Sequence, residues 1–403
     1  MLHLRKASAS LSSKRALFVS RATTRSLKYL VQPSAIGESS VSKDADKSQQ
    51  LFEKTWTLSG PKPLEKLKLR LPGVTFICVD RDENDHVAKI RAMSDSVLAL
   101  ESMRVQAAIP YRAILGFESG SQALPSHGTF VTEILLPRGS SGFLRSLAAT
   151  GRGLVIIEDG VLAMHDRPDS IIKLAAMGSS KLAIMLARDV DVSRLQIAVA
   201  DHSKVFFQVP AFKARDRVEI AGAGGSEVHI QSLKSGFTSP LLKLAVSGSG
   251  ILSVQAKEFA VGDAKSAVTG SGRIVLGKAE TRGGGSASAA VCDSHKIAIF
   301  GSGDVDCADL LTKRVKLAVA GEGSVVLDTT EPVKVGEIGT ATVRYLHTPL
   351  GPSLGTAMSD EDRDARQQRR DLETQDVLDF WRSLPSRESA MDVMNQVAFT
   401  GAE

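Results

Sequence analysis

The chain has 403 residues, of which 43% are apolar, 24% charged and 5% aromatic. That apolar share fits a globular core and excludes wholesale disorder, and the three cysteines (Cys78, Cys292 and Cys307) lack the spacing of a disulfide scaffold or a structural zinc site. The net charge of +5 is concentrated in one place: Arg5, Lys6, Lys14, Arg15, Arg21, Arg25 and Lys28 all precede the first acid, Glu38, so the remainder carries only −2. A near-neutral body lacks the field of a nucleic-acid binder.

Residues 1–33 are rich in Arg and Ser, lack acids and hold no apolar run longer than Ala16-Leu17-Phe18-Val19. This is the composition of a mitochondrial targeting leader, with a basic tail on a cytoplasmic protein or a secreted protein as the alternatives. Residues 34–50 read as a polar linker. In 51–140, a β-rich head, Leu67, Leu69 and Leu71 alternate before Pro72-Gly73 and Val74–Val79 follows, which predicts a hairpin. A first repeat is predicted around Ser94, with Ile90, Ala92, Leu98 and Leu100 in its apolar slots.

Residues 141–350 are organised by small-residue triplets beginning at Gly151, Gly178, Asp201, Gly224, Gly248, Gly270, Gly301 and Gly321, from 20 to 31 residues apart. Four residues after each start stand Val155, Leu182, Val205, Val228, Leu252, Ile274, Val305 and Val325. Six after stand Ile157, Ile184, Phe207, Ile230, Val254, Leu276, Cys307 and Leu327. Columns two and four residues before the starts are apolar too, with Ser266 and Gly222 as exceptions. Period two with one buried face is a β-strand, and the glycines (Gly151, Gly178, Gly224, Gly248, Gly270, Gly301 and Gly321) are its structural corners.

A unit of about 22 residues cannot bury its own apolar face, so units must stack. A short last unit is expected around Glu337, between Val333 and Val343. The predicted fold is all-β: a single-stranded β-solenoid, or β-helix, of about eight to ten coils. It carries a β-rich N-terminal head and a short C-terminal helix. A β-sandwich of regularly spaced strands is the competing architecture. In this scheme Val305 points inward, so Val305→Asp should unfold the protein, whereas Asp306→Val should be nearly silent. In the polar tail, 351–403, Ser359-Asp360-Glu361-Asp362 resembles a capping box. The helix it starts ends in Leu372, Val377, Phe380, Trp381 and Leu384 and is expected to cover the open end of the stack.

The repeat resembles the head GIN domain of auto-transporter adhesins. The resemblance rests on Ile134-Leu135-Leu136-Pro137-Arg138-Gly139, on the Gly-Ser-Gly corners at 248, 270 and 301, and on the closing Tyr345-Leu346-His347-Thr348-Pro349. Family members usually carry Gly where this chain has His347. The match is good over 130–350 and weaker over 60–130. It implies a β-solenoid fold and, through the family name, adhesion at a cell surface, which a mitochondrial leader does not suit.

Chemistry is sparse. No triplet completes G-x-G-x-x-G before a helix. Gly272–Lys278 has phosphate-loop spacing but lacks the following Ser or Thr, and its interior fits the strand columns. Asp304 and Asp306 after Gly301 do not recur at the nine-residue period of a calcium-binding repeat. The acids directly after the corners, Glu227 and Asp304, fall three repeats apart, roughly 14 Å, which is too far for a glycosidase pair. His202 and His229 read as solvent-facing, Cys307 as a buried apolar filler, and neither Asn84 nor Asn395 begins a glycosylation sequon. The sequence therefore assigns no catalytic, cofactor-binding or metal-ligating residue. It predicts a non-catalytic binding or scaffolding protein for a protein or polysaccharide ligand, with no nucleic acid and no transmembrane segment. A carbohydrate-active or other hydrolytic enzyme on the same scaffold and a secreted adhesin are the alternatives.

Overall fold

The computed structural model describes residues 29–38, 51–80, 86–109, 111–117, 130–138, 144–162, 170–278, 290–347, 349 and 355–386. Residues 1–28, Asn84 and Asn395 lie outside them. Among the described residues the chain is all-β apart from two helices, α1 (Val97–Ser102) and α2 (Asp360–Arg382). Every described strand belongs to one long sheet, and from Ser146 to Lys278 each strand pairs in parallel with the strand two further along the chain; the long strand Asp304–Gly321 then serves both series, one with each half. Two parallel ladders result.

One ladder contains Ser146–Gly151, Ile171–Gly178, Val190–Val199, Phe212–Gly224, Phe237–Gly248, Phe259–Gly270 and Val291–Gly301. It ends on the second half of Asp304–Gly321 and on Lys334–Ile338, the short last unit. The other runs through Leu154–Ile157, Lys181–Met185, Lys204–Val209, Glu227–Ser232, Ile251–Ala256 and Arg273–Lys278. It continues through the first half of Asp304–Gly321 to Ser324–Thr329 and Thr342–Tyr345.

The register explains the columns. Val155, Leu182, Val205, Val228, Leu252, Ile274, Val305 and Val325 are successive Cα partners, and each is at most 3% exposed. Leu147, Leu174, Ile197, Ile220 and Leu244 do the same from the other ladder. Burying each such side chain contributes about 1.5–3 kcal/mol. Phe212, Phe237 and Phe259 continue the core as a stack with centroids 5.1 Å apart.

Between the ladders the chain turns at the triplets. Gly151, Gly178, Gly224, Gly248, Gly270, Gly301 and Gly321 have φ between +71° and +129°, and Asp201 takes the same slot at +64°. Asp tolerates this region when its side chain finds a local partner, and its carboxylate accepts from Gly178 N–H at 2.9 Å. The amide after most corners donates to the preceding corner's carbonyl, as Ser271 does to Gly248 and Ser302 to Gly270, both at 3.0 Å. From Gly178 onward the corner glycines thus touch the preceding corner's backbone, leaving little room for a Cβ.

The N-terminal region departs from the expected pattern. Lys66–Arg70 and Val74–Asp80 do not pair with each other as a hairpin. They insert into the two ladders between Arg112–Phe117/Phe130–Pro137 and Ser146–Ile157. The predicted repeat at Ser94 is also absent: Ala88–Ser94 runs antiparallel to Phe52–Ser59 and Phe130–Pro137, and Leu98 and Leu100 lie in α1. Local alternation cannot distinguish a hairpin from two strands that each find distant parallel partners. Leu30–Pro33, assigned above to the leader, adds antiparallel to Phe52–Ser59, and buried Tyr29 donates its hydroxyl to Pro63 O at 3.0 Å.

Helix α2 begins at the expected capping box, with Ser359 Oγ accepting from Asp362 N–H at 3.1 Å. It does not cover the end of the stack. It lies along the outer face of the second ladder, from Arg344 (paired with Asp362 at 2.7 Å) to Phe206, whose ring stacks on Phe380 at 3.7 Å. Those contacts span six ladder steps, about 29 Å, which suits 23 residues of helix at about 34 Å.

Candidate ligand-binding groove

Strand alternation that points Leu147, Leu174 and their successors inward points their neighbours outward. Three residues before each corner stands an alanine: Ala148, Ala175, Ala198, Ala221, Ala245, Ala267, Ala298 and Ala318. They are successive Cα partners across eight strands. Five residues before each corner runs a second column, Ser146, Lys173, Gln196, Glu219, Lys243, Lys265, Lys296 and Lys316, which Lys334 extends.

Together these columns line a groove of about 1210 Å³ whose described lining holds six lysines, one carboxylate and no aromatic ring. Small methyl groups form its floor because a larger side chain would fill it. Across nine strands it runs about 38 Å.

Glu219 is the lone acid. Lys243 Nζ and Gln196 Nε2 both donate to it at 2.8 Å, and these bonds hold its carboxyl below the usual carboxylate range. Lys265, Lys296, Lys316 and Lys334 make no ion pair among the described residues. The signal for this groove was available in the repeat alignment, where the third position before the corner is alanine eight times out of eight. An outward column of small residues carries no burial pattern, so a search for core periodicity passes over it.

The second ladder's outer face is instead covered. Arg366 Nε donates to both oxygens of Asp306 at 3.0 Å, and Arg366 Nη2 to Asp309 at 2.8 Å. Arg370 pairs with Asp309, and Arg273 pairs with Glu373. Asp306 and Arg370 are each 4% exposed. The expectation of a solvated Asp306 is therefore corrected: it faces away from the core but lies under α2. His229, expected at the solvent, is buried against Phe206.

Glu227 and Asp304 do stand three partners apart, with Ile251 and Arg273 between them. Burial alone would raise the Glu227 pKa, but hydrogen bonds from His229 and Lys204 override it and hold the group at about 2. Such a carboxylate cannot act as a general acid. Burial pushes the Cys292 thiol up to about 11 and the Cys307 thiol well above its ordinary value, so both are poor nucleophiles. No group of acids, histidines and cysteines among the described residues is arranged to hold a metal ion, and no described helix is long and apolar enough to cross a membrane. The seven corner glycines sit at the edge between groove and covered face.

Among solved structures, the chain is similar to a “putative adhesin” from Parabacteroides merdae at 14% identity, covering 75% of this chain and 98% of that one with a TM-score of 0.46. It is similar to a “putative adhesin” from Parabacteroides distasonis at 13% identity, with coverage of 74% and 98% and a TM-score of 0.44. A “putative lipid binding protein” from the same species matches at 13% identity, with coverage of 72% and 98% and a TM-score of 0.42. No curated protein matches. The model of the family described as “Putative auto-transporter adhesin, head GIN domain” matches residues 219–349. This match overturns the mitochondrial reading of residues 1–33, because an auto-transporter adhesin is displayed at a cell surface or released from it. Residues 219–349 are thus similar to the auto-transporter adhesin head GIN domain.

Proposed function

We propose that the protein is a non-catalytic binding protein of adhesin type, at a cell surface or secreted, that holds a linear ligand in the lysine and alanine groove. In this reading the two ladders are sides of a β-solenoid of about eight to ten coils. Residues 51–140 are its head, 141–350 its coils with the seven glycines as corners, and 351–403 its polar tail. The parallel pairing of strands with the second one after them, from Ser146 to Lys278, supports this arrangement.

The observation that carries the function is the unbroken outward alanine column with lysines beside it. A face that only needed solubility would have no reason to repeat one small residue in eight strands. The hydrolase alternative needs two carboxylates at working distance, and the groove's described lining offers Glu219 alone, held ionised.

The test is binding of the purified protein to immobilised surface glycans and matrix proteins, with Ala245→Trp and Ala267→Trp filling the groove. Both variants should keep the native melting temperature and lose binding. Undiminished binding by the filled variants would move the function elsewhere.

A further inference from the structure

Cross-strand charges in this chain are usually matched. Lys204 meets Glu227 at 2.8 Å, Arg215 meets Asp191 at 2.7 Å and Lys313 meets Asp293 at 2.6 Å, each pair joining neighbouring turns of the stack. Like charges do face each other singly elsewhere, as Lys181 faces Lys204 and Arg194 faces Arg217, but one column carries the departure through a whole run. Lys243, Lys265, Lys296, Lys316 and Lys334 are consecutive Cα partners, so four like-charge pairs stand directly opposite one another. Of the five, only Lys243 has a carboxylate partner among the described residues, Glu219. Like charges directly opposite destabilise a sheet, and a local rule broken repeatedly at one place marks a functional site.

Resting on the binding reading above, we infer that the groove's ligand is an acidic polysaccharide, a linear glycan with one carboxylate or sulfate per sugar ring. The anion row replaces the carboxylates that the lysine column lacks. The spacing decides the class. Lysines recur once per ladder step, about 4.8 Å, close to the advance of one ring in an extended glycan, and their flexible four-carbon stems can reach carboxylates on either edge of a ribbon whose rings alternate. An extended acidic peptide presents charges on one face only at every second residue, about 6.7 Å apart, and falls out of step within three turns. Single-stranded nucleic acid is held by aromatic platforms, and the described lining has none. The alanine strip offers methyl groups to the C–H faces of sugar rings, a surface that a flat membrane would not enter.

The experiment uses the full chain and end-labelled oligomers of mannuronic acid, three to nine rings long. Carboxyl-reduced oligomers, poly-glutamate, a single-stranded oligonucleotide and phosphatidylglycerol vesicles serve as comparison arms. Affinity should climb with each ring up to about five, the length of the lysine run at one ring per step, then flatten and fall with salt. Carboxyl reduction should weaken binding at least tenfold. The double variant Lys296→Gln/Lys316→Gln should lose at least tenfold in affinity while melting at the same or a higher temperature, because repulsion has been removed.

Equal binding of reduced oligomers, no dependence on length, or tighter binding of the peptide, oligonucleotide or vesicles would overturn the inference. If uronate oligomers fail while groove-filling by Ala267→Trp still abolishes attachment, the binding reading stands and the ligand class falls.

Discussion

Gly248 and Gly151 separate two penalties that any corner substitution combines. Both have left-handed φ, +104° and +106°, so an added Cβ strains each backbone by about 1–2 kcal/mol. At Gly248 that Cβ would also sit 2.7 Å from Gly224 O, whereas at Gly151 nothing lies within 4 Å. Urea denaturation should show Gly248→Ala losing about 3 kcal/mol or more and Gly151→Ala only the smaller strain; equal losses would mean that corner stacking contributes nothing. The positive φ of these glycines is legible in the sequence because Gly is the residue that a left-handed, backbone-crowded position demands. Ser266, the polar exception in an apolar column, was not. Its explanation lies 29 residues further on, where buried His295 meets its hydroxyl, Nε2 to Oγ 2.8 Å. Burial pushes His295 down to about 4, so the folded protein holds it neutral while the unfolded chain protonates it near 6.5. Its contribution is complete above pH 6.5 and is lost as pH falls from 6.5 toward 4, about 3 kcal/mol in all. Stability measured against pH should show this loss in the wild type and a flatter profile in His295→Gln over the same window.

Helix α2 was predicted from its cap but not its seat. Its contact face is built largely from Arg366, Arg370 and Glu373 rather than an apolar stripe, and Arg366 and Asp306 stand 60 residues apart in sequence. Nothing local marks such a pairing. Asp306 looked free for the same reason: strand alternation assigns a side, and only the tertiary fold says what covers that side. The expected tolerance of Asp306→Val is accordingly replaced by its opposite. The substitution leaves Arg366 and Arg370 sharing Asp309 under a helix that excludes water, and removing one partner from a buried charge cluster costs about 3 kcal/mol. Amide hydrogen exchange should report the cost as faster exchange in α2 and in 204–209, with the alanine column unaffected. Val305→Asp, one residue away, should instead collapse the whole ladder because its charge enters the core unpaired. If Asp306→Val leaves exchange in α2 unchanged, the ion-pair cluster does not hold the helix.

At the scale of the whole molecule, the two ends differ. The N-terminal end is closed by antiparallel strands, Ala88–Ser94 on Phe130–Pro137, then Phe52–Ser59, then Leu30–Pro33, whose last residue is an edge-blunting proline. Buried Trp56 sits in this closure, and Trp381 sits where α2 ends on Phe206. The only two tryptophans thus report on different layers. The ladders share one continuous apolar core from Tyr29 to Tyr345, so neighbouring turns should unfold together rather than peel apart. Helix α2 is fastened by a few rings and a charge cluster, a layer whose release exposes far less apolar surface than the core. Such layers open below the global free energy. In urea, Trp56→Phe, which leaves only Trp381, should show a fluorescence transition at lower denaturant and with a smaller slope. Trp381→Phe, which leaves only Trp56, should track the far-ultraviolet circular dichroism of the sheet. Coincident transitions in the two variants would make helix and ladders a single cooperative unit, and the groove's rigidity would then depend on the helix seated on the opposite ladder.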